Sequence, residues 1–321
     1  MLYGLIRPAL FNLDPETAHE RALRLAVRLG CNRIARESLA AMCCVSDRRL
    51  RQTVFGIEFL NPVGLAAGYD KNAIGLQCWP ALGFGFVEIG SVTARPQSGH
   101  PRPRLVRLPE QRALVNRMGF NNDGADRIAP RIACTIPVGV NVGTNRDTIN
   151  FAETVRKCSG NFYVINVSSP NTPGLRKLQG REFLREILAG ISSDKPVLVK
   201  IAPDLSFQEI DEIIALSPAG IVATNTTLTP EGGLSGAPLE ARATECIRHI
   251  RRQSKLPVIG VGGIFSAADA YRKIRAGASL VEVWTGLVYN GPGLVREINR
   301  GLLRLLERDG FGSIAEAVGT E

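Results

Sequence analysis

The chain has 321 residues, 45% apolar and 21% charged, ample for a packed core and long enough for one large α/β barrel with an appendage or for two smaller domains. Its net charge of +9 directs attention to acidic partners such as phosphorylated ligands or anionic lipid, but its aromatics are 6% and scattered, with no basic patch interleaved among them, so nucleic acid is not an expected partner. Seven cysteines without a Cys-x-x-Cys spacing form no disulfide framework, three separated histidines offer no metal site, and no run reaches ~18 apolar residues or ends in a signal-cleavage pattern.

Residues 1–50 differ in pattern from the rest of the chain. Leu2, Tyr3, Leu5, Ile6, Leu10, Phe11 and Leu13 are a dense apolar set broken by Arg7. Asp14-Pro15 predicts a helix start, an N-cap followed by proline at the first helical position. Ala18, Ala22, Leu25, Ala26 and Leu29 then share one face, with Arg21, Arg24 and Arg28 opposite, and a second short helix is predicted from about Arg33 to Met42. Such a basic amphipathic segment can lie on a membrane surface. The plainer alternative, which pattern alone favours, is a helix docked on the main domain with a solvated arginine stripe.

From residue 53 the rhythm changes. Thr53 to Phe59 predicts a small hairpin. Eight short apolar runs come after it: Pro62–Ala67, Phe86–Ser91, Val138–Val142, Phe162–Val167, Val197–Ile201, Gly220–Thr224, Val258–Val261 and Leu280–Trp284. Several are separated by amphipathic helical segments, such as Phe207 to Leu216 and Ser266 to Ala276. Eight buried strands alternating with helices predict a (β/α)8 TIM barrel in preference to a doubly wound open sheet. A longer interruption, Thr93 to Phe120, contains Arg104–Leu108 and Ala113–Asn116 and predicts a hairpin inserted over the top face.

Barrel chemistry sits at the carboxyl ends of the strands. Those ends read Ala66-Ala67-Gly68-Tyr69-Asp70-Lys71, Gly90-Ser91-Val92-Thr93, Asn141, Asn166 to Asn171, Lys200, Thr224-Asn225-Thr226-Thr227, Gly262-Gly263 and Trp284-Thr285-Gly286. Lys200 closes the run Val197-Leu198-Val199 and should be largely buried, which is rare for an unpaired lysine. Glycines after the seventh and eighth runs, each leading into a helix, match the usual barrel phosphate site. No Gly-x-Gly-x-x-Gly follows a first strand, so no nicotinamide dinucleotide domain is expected. Asn116, Asn166, Asn171 and Asn225 each offer an amide donor and acceptor, a set suited to a ring with alternating C=O and N–H, such as a pyrimidine.

These residues carry a resemblance. The motifs are Asn61-Pro62-Val63-Gly64-Leu65-Ala66-Ala67-Gly68-Tyr69-Asp70-Lys71, Gly90-Ser91-Val92-Thr93 and Asn116-Arg117-Met118-Gly119-Phe120-Asn121. Ser168-Ser169-Pro170-Asn171-Thr172-Pro173-Gly174-Leu175-Arg176, Val199-Lys200-Ile201-Ala202-Pro203-Asp204-Leu205, Ala223-Thr224-Asn225-Thr226-Thr227, Gly232-Gly233-Leu234-Ser235-Gly236 and Gly260-Val261-Gly262-Gly263-Ile264 complete them. In order, from residue 1 to about 305, the chain resembles the dihydroorotate dehydrogenase family, specifically its class 2, quinone-dependent, FMN-containing branch.

The resemblance implies oxidation of dihydroorotate to orotate in pyrimidine synthesis, with one FMN per chain. It makes Ser169 the base for the C5 proton and Lys71 the partner of the substrate carboxylate. Asn116, Asn171 and Asn225 would hold the ring edges, with Arg117, Met118, Gly119, Phe120 and Thr226 alongside, and Asn166 would reach both substrate and flavin. Ala67, Gly68, Ser91, Asn141, Lys200 and Thr224 would line the flavin, and Gly236, Gly263, Trp284 and Thr285 its ribityl phosphate. Strand alternation assigns Ser168 to packing, and Pro170, Thr172, Pro173 and Gly174 to a loop suited to closing over the substrate.

The resemblance also divides the chain into a membrane and quinone-access segment, residues 1–50, and an FMN barrel, residues 51–321. Residues 1–45 would dock on the membrane and admit ubiquinone or menaquinone. Class 1 members lack that extension and use cysteine as base. Without an Arg/Ser-rich transit segment, the expected location is the cytoplasmic face of a bacterial plasma membrane, with the mitochondrial inner membrane as alternative. Two departures stand out: Trp284 where many members have tyrosine, and a shortened segment from Thr227 to Gly236. The rival readings are a class 1 enzyme using fumarate or NAD, an FMN-dependent tRNA-dihydrouridine synthase, and a basic nucleic-acid-binding protein.

Overall fold

The computed structural model describes residues 2–169, 171 and 175–321. Three helices come first: α1 (Leu2–Phe11), α2 (Pro15–Cys31) and α3 (Arg33–Cys43). α1 is helical although Pro8 lies inside it. Asp14 caps α2 by accepting from Thr17 N, and Asn32 caps α3 through Ala35 N. The single apolar face expected of α2 divides. Leu23, Ala26 and Leu29 pack on the barrel, and Gly30 sits so close that an added Cβ would lie 2.9 Å from Cys78 N. Leu25 remains 55% exposed, as do Leu5 of α1 at 79% and Ile34 of α3 at 77%.

The small hairpin is next, as β1 (Gln52–Val54) and β2 (Ile57–Phe59). The eight expected runs are β3 (Val63–Leu65), β4 (Phe86–Val92), β7 (Val138–Val142), β8 (Phe162–Asn166), β9 (Val197–Ile201), β10 (Gly220–Ala223), β13 (Val258–Val261) and β14 (Leu280–Val283). They pair in parallel and in that order, β14 closing on β3, to give a closed barrel. Helices on its outside include α4 (Ala125–Ile128), α5 (Phe151–Lys157), α6 (Arg181–Ala189), α7 (Phe207–Ile214), α8 (Glu240–Gln253), α9 (Ala267–Ala276), α10 (Thr285–Asn290) and α11 (Leu294–Asp309).

The barrel interior is layered by strand alternation. Phe86, Phe162, Leu198, Val222, Ile259 and Leu280 fill its lower end, and Val54 and Phe59 of the β1–β2 hairpin cap them. Glycines on neighbouring strands make room for the two rings: a Cβ at Gly64 would lie 2.3 Å from Phe86, and one at Gly139 2.3 Å from Phe162. Two residues further along, the same inward face carries Glu88 of β4, Asn141 of β7, Lys200 of β9, Thr224 after β10 and Glu282 of β14, with the apolar Val164 and Val261 on β8 and β13. The apolar plug is thus the floor on which a polar layer stands.

The predicted top-face hairpin is β5 (Leu105–Leu108) with β6 (Ala113–Asn116), antiparallel from Leu105↔Asn116 to Leu108↔Ala113. The shortened segment after β10 is also a hairpin, β11 (Thr227–Thr229) with β12 (Gly232–Gly236), and β12 pairs with β6. The insertion is therefore a four-stranded sheet in the order β11-β12-β6-β5. The N-terminal helices dock on it. Glu16 of α2 pairs with Arg104 at 2.8 Å, both side chains buried, and Arg107 Nη1 donates to Phe11 O and Leu13 O.

Candidate active site

A cavity of about 1130 Å³, counted out to its open mouth, lies between the carboxyl ends of the barrel strands and the top-face sheet. Of the expected residues, its wall brings together Ala67, Gly68, Lys71, Ser91, Asn116, Met118, Gly119, Phe120, Asn166, Ser169, Asn171, Lys200, Thr224, Asn225, Thr226, Gly236, Gly263, Trp284 and Thr285. Two stand apart. Asn141 is fully buried beneath the wall, and Arg117 is exposed outside it, because its neighbour Asn116 takes the inward position at the end of β6.

The asparagines are wired together. Asn166 Nδ2 donates to Ser91 Oγ at 3.0 Å and to Asn141 Oδ1 at 3.1 Å, and Ser91 Oγ donates to Asn141 Oδ1. Asn141 Nδ2 in turn donates to Glu88 Oε1 at 2.5 Å. Asn225 Nδ2 donates to Asn166 Oδ1 at 3.2 Å and to Ser168 Oγ at 3.0 Å. Ser168 is therefore not packing: it stands two residues beyond Asn166 on the inward face that Phe162 begins, and its hydroxyl joins this network, donating to Asn166 Oδ1. Across the mouth Asn171 Nδ2 donates to Asn116 Oδ1 at 3.0 Å, tying the loop after β8 to the top-face sheet. Ser169 is buried, and its Oγ accepts from Asn171 N at 3.3 Å. The expected lid, Pro170 and Thr172 to Gly174, lies outside the described residues.

Charge in the pocket comes from two lysines. Lys71 follows Asp70, whose carboxylate accepts from Ile74 N, Gly75 N and Trp79 Nε1 and so shapes the turn after β3. Burial holds the Lys71 ammonium down to about 8, against the pull of Glu16. Burial would also lower Lys200, but Glu88 at 3.2 Å and Glu282 at 4.0 Å outweigh it, and the ammonium is held above its usual range. These two glutamates are not among the residues that the sequence pattern singles out. The signal is present in it all the same, a single charged residue inside each of the apolar strands Phe86–Val92 and Leu280–Val283. His19 of α2 is a third such residue. It stacks on Trp284 at 6.0 Å and meets Tyr69 edge-on, and desolvation holds its ring down to about 3, hence neutral.

Residues 49–306 match the dihydroorotate dehydrogenase family. The dihydroorotate dehydrogenase (quinone) of Natronomonas pharaonis is 49% identical, with 100% of this chain and 99% of that protein covered. The enzyme of the same name from Gloeobacter violaceus is 47% identical over 99% of this chain and 98% of its own. A crystal structure of DHODH from Eimeria tenella in complex with ferulenol superposes with a TM-score of 0.86, at 34% identity and 98% coverage of both chains.

Proposed function

Because this chain belongs to the dihydroorotate dehydrogenase family, we propose that it oxidises (S)-dihydroorotate to orotate in pyrimidine (UMP) biosynthesis, using one FMN and passing electrons to a membrane quinone. The observation that carries this reading is one pocket holding a buried Ser169, a half-buried Lys71, four asparagines and the Lys200 ammonium in its floor.

The residues present suit a flavin. Thr224 Oγ1 is buried at the pocket with no partner among the described residues, an orphan that a ring nitrogen or carbonyl would satisfy. At Gly68 an added Cβ would meet only Trp284 Nε1, at 3.4 Å, so the glycine keeps that wall open. Gly236 and Gly263, both at positive φ, and the hydroxyl pair of Ser235 and Thr285, 2.9 Å apart, offer donors to a phosphate. When bound, FMN supplies the acceptor for the two electrons and the C6 hydrogen of the substrate and returns the electrons to quinone.

The chain's own groups do the rest. Lys71 Nζ holds the substrate carboxylate, and Asn116, Asn171 and Asn225 orient the ring through paired donors and acceptors. Asn166 anchors the substrate side of the network to the flavin side. Ser169 Oγ takes the C5 proton; a serine is a weak base, so the proton must pass onward in a site closed to bulk water. Lys200 places positive charge where the pocket must accommodate negative charge.

Residues 1–50 form the quinone-access segment and residues 51–321 the catalytic barrel. Residues 1–45 rest peripherally on the membrane, at the cytoplasmic face of a bacterial plasma membrane, and admit ubiquinone or menaquinone. Exposed Leu5, Ile6, Leu25, Ile34 and Met42 support this. Among the described residues no helix is long and apolar enough to cross a membrane. The deciding assay is steady-state turnover of dihydroorotate with a quinone, fumarate or NAD, beside the visible spectrum of the purified protein. A colourless protein, or turnover only with fumarate or NAD, refutes the reading.

A further inference from the structure

Glu88 of β4 and Glu282 of β14 take no direct part in the proposed chemistry. They are 0% and 1% exposed. Lys200 Nζ stands 3.2 Å from Glu88 Oε1 and 4.0 Å from Glu282 Oε2. Glu88 Oε1 also accepts from Asn141 Nδ2. Glu88 Oε2 and both oxygens of Glu282 meet no donor among the described residues. On either side of Glu282, β3 and β13 present Gly64 and Val261 in register, neither charged. The charged groups facing it among the described residues are Glu88 and Lys200.

One ammonium therefore serves two buried carboxyls. A second, unpaired carboxylate in such a site takes up a proton rather than remain ionised. Glu88 and Glu282 converge on the same Lys200 Nζ, at 3.2 and 4.0 Å, and two carboxyls brought together in this way bond to each other only when one of them carries a proton. Glu88 already accepts from two N–H donors, which makes it the ionised member.

We propose that Glu88 and Glu282 share a single proton in the floor of the pocket, donated by Glu282, and that Glu282 is a positioning residue that sets the net charge Lys200 presents to the bound flavin. With the proton in place the three side chains sum to zero. Without it they sum to −1, and the lysine is more than cancelled. The electrostatics agree: burial, then the Glu88 charge, drive the Glu282 carboxyl well above its usual range against the opposing pull of Lys200. The shared proton stands on these contacts alone, whereas its effect on the flavin rests on the proposed flavin site.

Infrared spectroscopy of the holoenzyme in H2O and D2O tests the shared proton. A protonated-carboxyl C=O band that shifts in D2O is expected at neutral pH, lost in Glu282→Gln and retained in Glu282→Asp. Absence of the band from the wild type overturns the proposal, as does its unchanged presence in Glu282→Gln. Redox titration of the bound flavin tests the coupling. The wild-type midpoint potential should show an alkaline break where the pair loses its proton. Glu282→Gln should abolish that break while keeping a potential close to wild type at neutral pH, since glutamine is as uncharged as the protonated acid. The same break in both proteins overturns the coupling. A flavin-free preparation overturns the flavin site and this coupling with it, and the infrared band then decides the shared proton by itself.

Discussion

Replacing Glu16 with glutamine tests what holds the N-terminal helices on the barrel. Glu16 and Arg104 side chains are 6% and 7% exposed. Arg104 donates to the Glu16 carboxylate at 2.8, 3.1 and 3.2 Å, and its remaining bonds go to Ser98 O at 2.7 Å and His100 O at 2.8 Å. Glu16→Gln leaves a buried guanidinium with carbonyl partners and no counter-charge. Breaking a buried pair from one side costs about 3–5 kcal/mol. The two carbonyl bonds survive and glutamine still accepts one, so the lower end applies. About 3 kcal/mol is a factor of roughly 150 between docked and undocked states. Urea unfolding reads the stability, and limited proteolysis across residues 44–51 reads the docking. Glu16→Leu with Arg104→Met should recover most of the loss, because an apolar pair of similar volume carries no desolvation cost. A Glu16→Gln loss below about 0.5 kcal/mol, the range of ordinary surface changes, would show that the pair does not hold the segment.

Ser169→Ala should slow flavin reduction by dihydroorotate by about 10²–10⁴-fold in stopped flow, while quinone oxidation of chemically reduced flavin stays near wild type; an unchanged reduction rate places the base elsewhere. Lys71 is held down to about 8 mainly by burial, so its cation is present below that pH and lost as pH rises through it. The kcat/KM for dihydroorotate, which reports the free enzyme, should therefore fall above about pH 8, and Lys71→Arg, always charged, should remove that limb. A protein beginning near Arg51 should keep FMN and its reduction by dihydroorotate, yet lose most turnover with a long-chain quinone and most binding to liposomes; unchanged quinone turnover would sink the access role of residues 1–45.

What could be read from the sequence was local. Asp14-Pro15 marks a helix start because a cap and a proline act within one turn, and α2 begins there. The eight barrel strands were legible as apolar runs because a strand buried on both faces shows itself in its own few residues. Polar residues at the ends of those runs pointed to the pocket wall for the same reason, since the barrel puts all carboxyl ends on one face whatever the loops do.

Contacts far apart in sequence were settled only by the tertiary structure. β12 pairs with β6, and the segment from Thr227 to Gly236, glycine-rich and short, carries too little pattern of its own to announce a strand. α2 presents a wide apolar stripe, but which part is covered depends on the shape of the barrel beneath, so Ala26 is buried and Leu25 is not. Ser168 continues the inward face of β8 past the strand's end, but its partner Asn225 arrives only with the chain beyond β10. Glu88 and Glu282 look like isolated charges in apolar runs until barrel closure sets both against Lys200 of β9. Burying a charge is tolerable only beside a partner, and in a closed barrel the partner comes from whichever strand the closure brings opposite.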